Sequence, residues 1–161
     1  MEISLNSIGV IHSPFHDPAE APIQASRSTA MGSVEVFAQY AAGLSDLNEF
    51  SHLFLLYLID CPHGYALSVR PFLDDQEHGI FATRYPCRPN PIGLSLVRLL
   101  RVDGNRLEIE GIDMLDGVPL LDIKPYIPDF DNRENARIGW YDRRAHHGVS
   151  PRGRAGWRSG M

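Results

Sequence analysis

Leu94-Ser95-Leu96-Val97-Arg98-Leu99-Leu100-Arg101-Val102-Asp103-Gly104-Asn105-Arg106-Leu107-Glu108-Ile109-Glu110-Gly111-Ile112 reads as two strands joined by a tight turn. Asp103-Gly104-Asn105 is a hairpin signal between two apolar segments. Leu107, Ile109 and Gly111 alternate with Glu108 and Glu110, as in a strand with one face buried and one in water. Outward from this hairpin, Ser7 to His12, Gly32 to Phe37, Ser51 to Asp60, Tyr65 to Arg70, Gly79 to Thr83 and Pro119 to Tyr126 also read as strands. They are rich in Val, Ile, Leu, Phe and Tyr, with Gly, Pro or Asp in the gaps. Tyr40 to Phe50 and Asn132 to Trp140 read as short helical turns. Many short strands in one chain of 161 residues point to an all-β fold, a single small β-barrel domain with a few short helices. No GxGxxG occurs and strands do not alternate with long helices, so the pattern does not suggest a Rossmann-type methyltransferase fold. The run Leu53 to Leu58 fits a strand buried on both sides, in a single-chain core or in part at a subunit interface.

Two flanking segments carry the chemistry. Arg84-Tyr85-Pro86-Cys87-Arg88-Pro89-Asn90-Pro91-Ile92-Gly93-Leu94-Ser95 places three prolines in six residues, so the backbone is stiff. A stiff loop carrying Arg84, Arg88 and Asn90 loses little entropy when it grips a ligand, although a rigid connector needs the same prolines. Downstream, Asp113-Met114-Leu115-Asp116-Gly117-Val118-Pro119-Leu120-Leu121-Asp122-Ile123-Lys124-Pro125-Tyr126-Ile127-Pro128 opens with a turn and continues as a strand. Two-residue spacing sets Asp122, Lys124 and Tyr126 on one face, with Leu121, Ile123 and Ile127 on the other. That row is either a solvated face with a weak ion pair or a functional rim. Pro125 and Pro128 favour the rim, because prolines confine a strand to an edge or an end.

The charge is uneven. Residues 1–132 hold 8 Lys/Arg against 18 Asp/Glu, a balance of −10, and residues 133–161 hold 7 Arg against 2 acids, a balance of +5. The domain expected over 1–132 is therefore acidic, and the arginine-rich tail over 133–161 is expected to be partly disordered. That tail is either a phosphate-contacting arm or a solubilising extension. No apolar run of about 18 residues is present, so no membrane span is expected. The N-terminus shows no signal-peptide pattern, and a cytoplasmic location is the default expectation. Cys61 and Cys87 do not make a disulfide scaffold, and thiols are expected. With His63 and His78 they match no standard zinc spacing, so no metal is expected.

The two dense segments resemble the TsaA-like family. Ser13-Pro14-Phe15, Ala21-Pro22-Ile23-Gln24, Gly32-Ser33-Val34-Glu35, Gly43-Leu44-Ser45-Asp46-Leu47 and Phe50-Ser51-His52 match in order, so the resemblance spans residues 6 to 130. The resemblance implies a β-barrel, a homodimer and S-adenosylmethionine held by barrel loops near the subunit interface. It also implies N6-methylation of the threonylcarbamoyladenosine beside the tRNA anticodon. Matching the family pattern residue by residue assigns the cofactor to Pro22, Ile23, Gln24, Asp60, Cys61, Arg84, Leu94, Gly111, Ile112, Asp113 and Met114. Asp60-Cys61 departs from the pattern, since many relatives carry His and then a polar or basic residue there. Some relatives also carry an extra C-terminal domain thought to help hold tRNA, in place of which this chain has the arginine-rich tail.

Methyl transfer from a sulfonium is an in-line displacement and needs alignment rather than a metal. A carbamoyl group makes the adenine N6–H more acidic, so a nearby acceptor can help expose the nitrogen. Asp122 is the candidate acceptor or base, with Lys124 and Tyr126 as further catalytic candidates. Lys124, Arg88 and Asn90 are the candidates for holding the substrate's carboxylate, carbamoyl oxygen or phosphate. Two other readings stand beside this one. The acidic domain and the altered Asp60-Cys61 suit a small-molecule methyltransferase of the same fold. A non-catalytic S-adenosylmethionine sensor is the other, although it would not need Asp122, Lys124 and Tyr126.

Overall fold

The computed structural model describes residues 1–22, 26 and 28–145. Six strands close into an antiparallel barrel: β1 (Gly9–His12), β2 (Met31–Val36), β3 (His52–Leu58), β6 (Ile92–Asp103), β7 (Arg106–Glu110) and β8 (Val118–Pro125). Around the barrel they run β1-β2-β7-β6-β3-β8, and β8 returns to β1. The short strands β4 (Ser68–Val69) and β5 (His78–Gly79) form a separate two-stranded ladder. The all-β barrel expected from the sequence is present.

The β6–β7 hairpin closes on the pair Asp103 and Arg106, leaving Gly104-Asn105 as its loop. Gly104 sits at φ +59°, which glycine adopts without penalty at the first position of a two-residue hairpin loop. Inward side chains fill the barrel: Ile11, Val34, Leu53, Leu55, Val97, Leu107, Ile109 and Leu120 are all fully or almost fully buried. Two bulges help a sheet of only six strands to curve shut. One skips Leu100, where Leu99 pairs with Ile109 and Arg101 with Glu108. The other skips Leu121, where Leu56 pairs with Asp122 and Tyr57 with Leu120.

The second bulge explains β8. Without it, Leu120 would share a face with Asp122 and Lys124. With Leu121 left over, Leu120 points into the core, while Asp122 and Lys124 pair with the outward-facing Leu56 and Phe54. The row expected from two-residue spacing therefore lies on the barrel's outer surface.

Three expectations change. The run Gly79 to Thr83 is a 3₁₀ turn over Ile80–Ala82, not a strand. Within that turn only Ile80 is buried; Phe81 is mostly exposed, and the buried Thr83 hydroxyl donates back to the Ile80 carbonyl at 2.9 Å. Within Tyr65 to Arg70 only Ser68–Val69 pairs. The helices near the C-terminus are α1 (Pro128–Asp131) and α2 (Trp140–Ala145), flanking the expected segment rather than filling it. Trp140 anchors α2: its ring stacks on His78 at 4.6 Å, and its indole N–H donates to the Ala82 carbonyl at 2.8 Å. Of the arginine-rich tail, residues 146–161 lie outside the described residues.

Cys61 and Cys87 are joined by a disulfide, which corrects the expectation of two thiols. The pairing follows from the ladder. Leu58 pairs with Ile92 at its end, and the Ile59 N–H still donates to the Pro91 carbonyl at 2.8 Å. The chain beyond those ends stays close enough for the two sulfurs to meet. The bond ties the proline-rich loop to the end of β3.

Candidate cofactor cleft

A cleft of about 600 Å³ opens on the outer side of the barrel, lined by residues from five separate segments. Strand β6 and its partner β3 supply Leu94, Ser95, Leu96, Arg98, His52 and Phe54. The exit from β7 supplies Glu110, Gly111 and Asp113. The segment before β2 supplies Ser26, Ser28 and Thr29, and the proline-rich loop supplies Arg84. The volume lies within the usual range for a small-molecule site.

Local structure explains how these residues meet. The Ser28 hydroxyl donates to the Ile112 carbonyl at 2.5 Å, and the Gly111 N–H donates to the Ala30 carbonyl at 3.0 Å. Those bonds bind the segment before β2 to the exit from β7. Arg98 and Glu110 face outward across the β6–β7 ladder and approach to 3.4 Å. The Asp113 carboxylate accepts from the Ser95 hydroxyl at 2.6 Å. Leu94, Leu96 and Phe54 form an apolar wall, with Leu96 opposite Phe54 in the ladder.

Of the residues the sequence assigned to a cofactor, the cleft brings together Arg84, Leu94, Gly111 and Asp113. Ile112 and Met114 instead turn into the core and pack there. Asp60 and Cys61 lie past the end of β3, and Pro22 lies on the segment leading to Ser26; none is among the described lining residues. Ile23 and Gln24 lie outside the described residues. Sequence reasoning missed Ser26, Ser28, Thr29, Phe54, Ser95, Leu96, Arg98 and Glu110. Ser95 stands in the conspicuous Ile92-Gly93-Leu94-Ser95 motif, which was the available signal for it. Arg98 and Glu110 look like ordinary solvated strand residues until the ladder is known.

The outer row of β8 adjoins the cleft through its aromatic edge. The Tyr126 ring meets Phe54 edge-on at 5.7 Å and His52 at 6.5 Å. Lys124 Nζ lies 2.7 Å from Asp122 Oδ2, and the Ile123 N–H donates to the other Asp122 oxygen at 2.9 Å. Arg88 is turned toward its own loop: Nη1 donates to the Thr83 carbonyl at 2.8 Å and the Tyr85 carbonyl at 3.3 Å. It thereby holds the turn from which Arg84 projects. Asn90 is exposed. Among the described residues no group of three or more His, Cys, Asp or Glu side chains is placed to hold a metal.

A closed six-stranded barrel with a mixed-charge, part-apolar cleft between its strands and connecting loops is a small-ligand-binding barrel. The family model for the tRNA-methyltransferase O N-terminal domain matches residues 10–132, and the chain belongs to that family. It is 52% identical to a probable S-adenosyl-L-methionine-binding protein of Pyrococcus abyssi, over 89% of this chain and 79% of that one. It is 37% identical to the tRNA (adenine(37)-N6)-methyltransferase of Mus musculus, over 81% of this chain but 32% of the mouse protein. The crystal structure of TrmO from Pseudomonas aeruginosa superposes with a TM-score of 0.75 at 36% identity, covering 94% of this chain and 65% of that one. The chain thus spans about a third of the mouse enzyme and under two thirds of the bacterial structure.

Proposed function

We propose that the protein is an S-adenosylmethionine-dependent tRNA methyltransferase acting on N6 of the adenosine beside the anticodon, in its threonylcarbamoylated form. The observation that carries this reading is the convergence of Arg84, Leu94, Gly111 and Asp113, four residues scattered in sequence, in one cleft of a protein from this family. The cleft suits the cofactor chemically. Arg84 and Asp113 offer opposite charges for the zwitterionic methionine end, and Phe54, Leu94 and Leu96 offer an apolar wall for the adenine. When bound, S-adenosylmethionine supplies an activated methyl group on a sulfonium.

The chain's own groups supply alignment and proton handling. Asp122 takes up or polarises the proton on the adenine nitrogen, and Lys124 beside it disperses the resulting charge. Tyr126, packed against Phe54, places that row at the cleft's edge. An unpaired base in an anticodon loop can enter such a site without melting a duplex. In this reading, the arginines of residues 133–161 offset the charge of the acidic domain toward phosphates. A tRNA substrate points to the cytoplasm as the site of action.

The active form in this reading is a homodimer. Leu58 and Ile92 are exposed neighbours on the outer face, and Leu94 and Leu96 continue the same apolar strip. A contiguous apolar strip at the rim of the cleft supports burial against a second copy.

The test is to incubate the protein with S-adenosylmethionine and tRNA, with and without the threonylcarbamoyl group, and to analyse nucleosides by mass spectrometry. One added methyl confined to the modified adenosine supports the full reading. Cofactor binding without tRNA methylation would favour a small-molecule methyltransferase or a sensor, which the acidic domain also suits.

A further inference from the structure

Three side chains run in a line from the barrel core to the cleft. Tyr57 on β3 is 7% exposed and Ser95 on β6 is 2% exposed. Tyr57 Oη lies 3.0 Å from Ser95 Oγ, and Ser95 Oγ lies 2.6 Å from Asp113 Oδ1. The direction of donation follows from the groups themselves. An ionised carboxylate only accepts, so the single Ser95 proton goes to Asp113. The Ser95 oxygen then offers only lone pairs to Tyr57, and the phenol donates. Burial pushes the Tyr57 phenol well above its ordinary range, and the Asp113 charge pushes it further, so this donor persists throughout the working pH range.

The Ile92-Gly93-Leu94-Ser95 motif serves this line. A Cβ on Gly93 would lie 2.2 Å from the Tyr57 ring, so only glycine leaves room for the ring beside β6. Ser95, two residues on, shares the inward face and meets the hydroxyl at the ring's far end. Leu94, between them, faces outward into the cleft.

We propose that Tyr57 and Ser95 are positioning residues that hold Asp113 as an oriented, ionised acceptor for the α-ammonium of S-adenosylmethionine. The inference rests on reading the cleft as the cofactor site. The cofactor has two cationic centres. The sulfonium has no proton to donate, whereas the ammonium has three, and a carboxylate fixed by a donor chain is suited to directional bonds. Two buried hydroxyls donating in series, Tyr57 to Ser95 and Ser95 to Asp113, fix the direction of the carboxylate before the ligand arrives.

Calorimetric titration tests this with three ligands: S-adenosylmethionine, S-adenosylhomocysteine, which lacks the sulfonium, and 5′-methylthioadenosine, which lacks the ammonium-bearing arm. The proteins are wild type, Tyr57→Phe, Ser95→Ala, the double variant and Asp113→Asn. Tyr57→Phe keeps the ring and removes only the hydroxyl, and thermal melts check that each variant folds. Asp113→Asn is expected to bind the first two ligands roughly thirtyfold more weakly, Ser95→Ala about tenfold and Tyr57→Phe about threefold. The double variant is expected to match Ser95→Ala, because Tyr57 acts through Ser95. Affinity for 5′-methylthioadenosine is expected to hold throughout. Wild-type affinity in a folded Tyr57→Phe and Ser95→Ala would overturn the proposal. A loss shared by 5′-methylthioadenosine would move Asp113 to the ribose, and a loss confined to S-adenosylmethionine would move it to the sulfonium; either overturns the ammonium assignment. A wild-type protein that binds none of the three would remove the cofactor reading itself, and the positioning role with it.

Discussion

Lys124 Nζ stands 2.7 Å from Asp122 Oδ2 on the outer face of β8, with both side chains substantially open to solvent. An exposed pair of this kind contributes little to folding, so its close approach reads more naturally as a charge arrangement for a substrate. Asp122→Asn should leave the melting temperature within about 2 °C of wild type while lowering methyl transfer to modified tRNA by about a hundredfold. Single-turnover rates measured with saturating cofactor separate the two effects. Undiminished turnover would remove Asp122 from the mechanism.

Gly93→Ala tests the packing of the motif. Its new Cβ would overlap the Tyr57 ring, which is confined by the core and cannot swing away. The expected cost is about 2 kcal/mol or more in urea unfolding. A neutral substitution would mean that the ring can shift within the barrel.

The disulfide between Cys61 and Cys87 closes a loop with a sequence separation of 26 residues. Chain-entropy reasoning gives it about 3 to 4 kcal/mol of stability. Cys61→Ser should therefore lower the unfolding midpoint under oxidising conditions, and the difference from wild type should largely vanish in excess dithiothreitol. Equal stability of oxidised wild type and variant would show that the bond does not form in solution.

Leu58 and Ile92 test the assembly. Leu58→Arg and Ile92→Arg each place a charge in the exposed apolar strip, outside the core cluster. Sedimentation should show a wild-type dimer and largely monomeric variants at micromolar concentration. Monomeric wild type would rule out the proposed interface.

The acid limb of stability should depend on Asp116. The Ser13 backbone N–H holds its carboxyl below the ordinary value of 3.8, and His12 and His16 add to the effect. The folded value lies below the unfolded one, so the contribution is complete above about pH 4 and is lost as pH falls through the folded value. Asp116→Asn should flatten the stability profile below pH 4. Urea melts between pH 2.5 and 7 on a series of buffers would check this.

The chain's own pattern determined the hairpin at Gly104-Asn105, six barrel strands to within a few residues and the row of Asp122, Lys124 and Tyr126. These follow from spacing and turn chemistry, which are local and survive in any folded context. It also pointed to Arg84, Leu94, Gly111 and Asp113 through the family resemblance. Tertiary structure alone decided the rest. The bulge at Leu121 sets which residues of β8 enter the core, and nothing in the local sequence marks it. Closure of the ladder between β3 and β6 joined Cys61 to Cys87 and set Tyr57 opposite Gly93. Ile112 and Met114 went to the core while Asp113 went to the cleft, because a residue's role there depends on which way the exit from β7 turns. Such contacts join residues distant along the chain, so they exist only once the barrel has closed.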